Sequence, residues 1–181
     1  MAAGKGSFWG VSCGLLGVLL LGTANLAGQS LSQIGFKVKQ MWPEVGSFAV
    51  VCSQSEREQV ENQAKTATLI TRKKVLVFAV GYMGDLNQRL ASIQAMNHPA
   101  VIVVANEQFM KGEIVQYLSE KMSKAGIPVI STRLKDTFQG AALTMAMEGD
   151  NLVVHGNMLA LSMAKVNLSE EQKKGVHFDV E

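Results

Sequence analysis

Hydrophobic and polar positions change their spacing twice between Pro99 and Ser131. Ala100-Val-Ile-Val-Val-Ala105 is a continuous β-branched run, too short for a helix and too apolar for a strand with one wet face, so it predicts a strand in the middle of a sheet. Over residues 107–124 the apolar positions Met110, Ile114, Val115, Leu118 and Met122 recur at three- and four-residue spacing, with Glu113, Gln116, Ser119, Glu120 and Lys121 opposite. That is the pattern of an amphipathic helix. Asn106 is placed to cap its start and Gly126 to end it. Ile127-Pro-Val-Ile-Ser131 predicts the next strand, with Pro128 near its beginning, where a missing N–H does little damage.

The same reading extends outward from this β-α-β unit. Ser47-Phe-Ala-Val-Val-Cys-Ser53 predicts a first strand, and Ser53 with Glu56 predicts a capping box opening a polar helix to about Lys65. Thr68-Leu-Ile-Thr71 and Lys74-Val-Leu-Val-Phe-Ala-Val80 read as two further strands. Gly81-Tyr-Met-Gly84 reads as a loop, and Asp85 as the cap of a helix lined by Leu86, Leu90 and Ile93. Farther on, residues 132–139 are polar and looped. The alternating run 141–147 turns at Gly149-Asp150 into Asn151-Leu-Val-Val-His155, a hairpin. Asn157 predicts the cap of a short helix, and Ser169 with Gln172 that of another.

Strands alternating with helices and closing on a hairpin imply an α/β fold: a three-layer sandwich with a mostly parallel sheet and a C-terminal antiparallel hairpin at its edge. The expected division is an N-terminal segment 1–27, a connecting segment 28–46, a single α/β domain 47–170 and a tail 171–181, loosely held from Lys173 to Glu181.

Composition alters this picture only at the N-terminus. The 181 residues are 48% hydrophobic and 18% charged. Lys5 is the only charge before Lys37, so removing it from 17 basic residues leaves 16 against 15 acidic ones. That balance argues against a nucleic-acid-binding surface. An apolar run with a small-residue exit at Gly22-Thr-Ala24 follows Lys5, as in a secretory signal cleaved near Ala24, and the alternative is an uncleaved inner-membrane anchor. Either reading places the remaining chain in the periplasm, with membrane contact only if the segment stays attached.

Chemistry-bearing motifs are sparse. Gly4-Lys-Gly-Ser7 lacks the upstream glycine and strand of a phosphate loop, no G-x-G-x-x-G follows a strand, and the one G-x-S-x-G, Gly10-Val-Ser-Cys-Gly14, lies inside the apolar N-terminal run, away from any predicted strand. His98, His155 and His177 have no partner at ligand spacing, and Cys52 is the one cysteine outside the apolar block, so no metal and no cofactor is expected. The ten methionines invite a copper(I) reading, but Met110, Met122, Met145 and Met147 fall on expected core faces. The carboxylates Glu56, Glu58, Glu61, Glu113 and Glu120 read as solvated helix faces. The chain is therefore expected not to be an enzyme.

Phe36 and Trp42-Pro43 ahead of Phe48-Ala-Val-Val51, then Gly140-Ala-Ala-Leu143, Gly149-Asp-Asn-Leu152, Asn157-Met-Leu-Ala160 and Asn167-Leu-Ser169, follow one another as in a known family. In this order the chain resembles the YfiR-like family of periplasmic regulators. It departs from that family at Cys52-Ser-Gln54, where the family has Gly-Asp. The resemblance implies a non-enzymatic protein that binds and restrains the extracytoplasmic part of an inner-membrane signalling protein, such as a diguanylate cyclase or sensor kinase. The expected contact surface is Trp42 and Pro43 together with Arg133, Lys135 and Phe138 in the 132–139 loop. Two alternatives stand beside it. One is a periplasmic small-molecule-binding module, with a crevice at the ends of strands 75–80 and 100–105 lined by Gly81, Tyr82, Asn106 and Glu107. The other is a structural subunit of a membrane-anchored envelope complex. A homodimer is compatible with each.

Overall fold

A computed structural model describes residues 30–104, 113–148 and 151–178. The expected N-terminal signal or anchor, the cap at Asn106, the start of the following helix and the Gly149-Asp150 turn lie outside these residues.

Helix α1 (Leu31–Met41) opens with a capping box in which the Gln33 N–H donates to the Ser30 hydroxyl and the Ser30 N–H to the Gln33 side chain. Its Leu31, Ile34, Val38 and Met41 recur along one face and are buried against α2 (Arg57–Thr71), which offers Val60, Ala64, Ala67 and Thr71. The segment expected as a connection is thus part of the core, because its apolar stripe needs a cover and α2 provides it.

The sheet has seven strands in the order β2-β1-β3-β4-β5-β6-β7. They are β1 (Ser47–Ser53), β2 (Lys74–Val80), β3 (Pro99–Val103), β4 (Val129–Ser131), β5 (Leu143–Glu148), β6 (Asn151–Gly156) and β7 (His177–Phe178). The first five run parallel to their neighbours, β6 is antiparallel to β5, and β7 lies parallel to β6. Helices cover both faces. Phe48, Val50, Cys52, Ala100, Ile102 and Ile130 pack in one cluster with α1, α2 and α5 (Met158–Met163). Ala49, Val51, Val101, Val103 and Val129 pack in a second cluster with α3 (Met83–Gln94) and α4 (Glu113–Ser123). With both faces dry, β1 and β3 are buried at every position, as continuous apolar strands require. The expected α/β sandwich with one antiparallel pair is the observed architecture.

Several local expectations are corrected. Thr68-Leu-Ile-Thr71 is the last turn of α2 and not a strand: Ala64, Ala67 and Thr71 keep helical spacing onto the core, and Arg72 ends the helix in the left-handed region at φ 55°. No capping box forms at Ser53. Its hydroxyl donates to the Glu56 carboxylate at 2.7 Å, a 3-10 turn (Gln54–Glu56) intervenes, and α2 starts at Arg57. The cap position of α3 is Tyr82, while Asp85 reaches back to accept from the Gly81 N–H at 2.9 Å. The short helix expected from the Ser169–Gln172 capping box is the α6 turn (Glu170–Lys173), but the residues after it are not loose throughout: β7 joins the sheet beyond β6, so the hairpin is not its outermost element.

Candidate functional site

In a parallel sheet the loops that carry ligands follow the carboxyl ends of the strands, and the favoured crevice is where the strand order reverses. Here β1 connects outward to β2, and the chain then crosses back over β1 to β3. The reversal therefore lies between β1 and β3. The crevice expected between the ends of β2 and β3 is displaced by one strand, because β1 stands between those two.

One wall of the reversal point is the turn after β1. The Ser53 and Ser55 hydroxyls lie 2.9 Å apart, and Ser53 also donates to Glu56. Behind them Cys52 is fully buried in β1. Its thiol is pushed up to about 12, chiefly by burial and further by the negative charge of Glu56 and Glu61, with Arg57 acting weakly the other way. A thiol held neutral in this way is not a nucleophile. The far wall begins at Val104, whose N–H donates to the Val51 carbonyl at 2.9 Å. Asn106 and Glu107, expected as crevice residues, lie outside the described residues. Gly81 and Tyr82 are exposed at the neighbouring end of β2.

The next strand end carries a constellation that sequence reasoning did not find. Asp136, fully buried in the 3-10 turn Leu134–Gln139, accepts from the Ser131 hydroxyl and from Arg133 Nε at 2.7 Å, with Arg133 Nη2 2.5 Å from the same carboxylate oxygen. The signal available in the sequence was a serine at the end of a buried strand followed two and five residues later by an arginine and an aspartate.

Of the residues expected to contact a partner, Arg133, Lys135 and Phe138 share one short segment, and Phe138 is 79% exposed. Trp42 and Pro43 are elsewhere, after α1, where Trp42 is half-buried against the first core cluster. Phe138 instead borders a hollow of about 320 Å³ with α4 and α5, lined also by Ser119, Asn157, Leu159 and Met163. The buried Ser119 hydroxyl beside it has no hydrogen-bond partner among the described residues. None of that lining comes from the β1–β3 reversal. Among the described residues no three His, Cys, Asp or Glu side chains are grouped to hold a metal ion, and no helix is long and apolar enough to cross a membrane.

Three solved structures share the fold, and this chain spans about three fifths of the length of each. A conserved domain protein from Vibrio cholerae has a TM-score of 0.69 at 11% identity, covering 81% of this chain and 59% of that one. A substrate binding protein with adhesive properties from Clostridium difficile, in its ligand-free open form, has a TM-score of 0.67 at 13% identity over 83% and 60%. The ABC domain from Streptococcus pneumoniae in complex with L-Trp has a TM-score of 0.67 at 11% identity over 82% and 61%. No curated protein matches the chain significantly. The thymidine kinase family profile matches residues 44–149, which run from just before β1 to the end of the β5 segment and make up more than half of the chain. This match overturns the expectation of a non-enzymatic protein, since the family is one of enzymes. By that match the chain belongs to the thymidine kinase family.

Proposed function

We propose that the chain binds a small molecule bearing a planar ring and hydrogen-bonding groups, a nucleoside in the first place, in the crevice outside the carboxyl ends of β1 and β3. The observation that carries this reading is the reversal of strand order at β1 and β3, with a turn bearing two hydroxyls at its wall. Tyr82, 65% exposed at the adjoining end of β2, offers an aromatic face to a ring. The family's name points to thymidine, and the titles of two structures with this fold speak of substrate binding and of bound L-Trp. The same turn is poorly suited to a triphosphate: Ser53-Gln-Ser-Glu56 has no glycine, and Glu56 adds a negative charge at the start of α2.

Calorimetric titration of the full chain with thymidine and with L-tryptophan tests the reading. Saturable binding of either, weakened about tenfold or more by Ser53→Ala or Tyr82→Ala, is the expected result. No heat with both compounds at millimolar concentration rejects it. Formation of thymidine monophosphate from thymidine and ATP, measured in the same preparation, tests phosphoryl transfer separately.

A second reading, restraint of a periplasmic partner as the YfiR-like resemblance implies, draws on the exposed Phe138 beside Lys135. It requires the domain to lie outside the cytoplasm and deletion of the chain to raise cyclic-di-GMP or kinase signalling. Unchanged signalling on deletion removes it.

A further inference from the structure

The hollow between α4, α5 and the turn Leu134–Gln139 lies at the opposite end of the sheet from the β1–β3 crevice. Gly140 precedes β5 and Asn157 follows β6, and Leu143 pairs with Gly156, so both lining residues stand at the amino end of β5. Two features build the hollow. The turn closes on Gly140 at φ +84°, where a Cβ would lie 3.3 Å from the Ser119 Cβ, so glycine lets the chain pass close to α4. The Asn157 side chain accepts from the Ala160 N–H at 2.9 Å and donates to the Thr137 carbonyl at 3.2 Å, which ties α5 to the turn.

Ser119 lines this hollow at 7% exposure, and its hydroxyl has no partner among the described residues. A helical serine can return its hydroxyl to the carbonyl four residues earlier. Ser123 does so, onto the Ser119 carbonyl at 2.6 Å, but Ser119 does not. A buried hydroxyl left unpaired costs free energy that a ligand atom can recover. Phe138, Leu159 and Met163 leave apolar surface exposed around it. No Lys, Arg or His lines the hollow, and the lining carboxylate, Glu120, is exposed and accepts from Gln116.

We propose that this hollow is a ligand site separate from the crevice, for an uncharged small molecule with an apolar ring body and one hydroxyl or amide head. The head meets the Ser119 hydroxyl, and the body lies against Phe138, Leu159 and Met163. The volume of about 320 Å³ suits such a molecule. A charged head would be desolvated beside Ser119 with no buried opposite charge, and an anion would also meet Glu120. The assignment does not depend on what the crevice holds.

The β-isomers of naphthylmethanol, naphthylmethylamine and naphthoate share one ring body and differ in head charge at neutral pH. Equilibrium dialysis of each against the full chain in detergent, with a detergent blank subtracted, tests the proposal. Saturable binding of the alcohol is expected, with each charged compound at least fivefold weaker. Ser119→Ala should weaken the alcohol about fivefold, the worth of one hydrogen bond, and leave the thermal midpoint unchanged or higher. Phe138→Ala, at an exposed position, should weaken it without loss of folding. Excess thymidine should not displace it. No saturable binding at millimolar concentration, a charged compound binding as tightly as the alcohol, or displacement by thymidine would overturn the proposal. So would unchanged binding, or a lowered midpoint, in Ser119→Ala.

Discussion

The Ser131 hydroxyl donates its hydrogen bond to the carboxylate of Asp136, which is fully buried five residues farther along the chain. Arg133 closes on the same carboxylate from the solvent side. The last residue of β4 is thereby locked to the turn that leads into β5, and Asp136 also accepts, through its backbone carbonyl, from the Ala141 N–H at 3.1 Å. A buried carboxylate is tolerated only when its lone pairs are filled in this way.

Removing the centre of that network should cost more than removing its neutral member. Asp136→Ala leaves a partly buried guanidinium without its main partner and is expected to lower stability by about 3–5 kcal/mol. Ser131→Ala leaves Asp136 paired with Arg133 and is expected to cost about 1–3 kcal/mol. Urea unfolding of both variants decides the matter, and a reversed order would show that Asp136 is not the organising residue.

Cys52 gives the fold a dependence on alkaline pH. Its thiol stays neutral in the folded chain up to about 12 and ionises in the unfolded chain near its ordinary value of 9.0. The folded state therefore holds its proton more tightly, so the contribution is fully present below pH 9.0 and is lost as pH rises toward 12. Urea midpoints measured across that window should fall more steeply for the natural chain than for Cys52→Ala. In the native state at neutral pH, thiol reagents should leave Cys52 unmodified.

Two glycine substitutions should separate a backbone clash from conformational strain. A Cβ on Gly46 would lie 2.5 Å from the Asn97 carbonyl oxygen, in a turn that the Gly46 N–H ties to the His98 carbonyl at 2.9 Å. Since that neighbour is backbone, Gly46→Ala is expected to cost about 1–3 kcal/mol or more. Gly175 has nothing within 4 Å but sits at φ +83°. Its alanine variant should cost only the left-handed penalty of about 1–2 kcal/mol. Thermal melting of the two variants tests the ranking.

Features whose cause is local were legible in the chain. The β-branched runs of β1 and β3 demanded burial on both faces. Alternation produced the β5–β6 pair, and the caps at Asn157 and Ser169 rest on hydrogen bonds that span three residues. Local reasoning failed at Thr68-Leu-Ile-Thr71, because a short β-branched run carries no record of whether the preceding helix has already committed its neighbours to a helical face. It also could not place the reversal of strand order between β1 and β3. Whether β1 or β2 stands beside β3 is settled by a crossover packing onto the sheet, a contact between residues some fifty positions apart such as Phe48 and Ala100. The burial of Asp136 is of the same kind. Its composition and spacing suit a solvated turn, and only the approach of β4, the following turn and β5 removes water from the carboxylate and makes Ser131 and Arg133 its necessary partners.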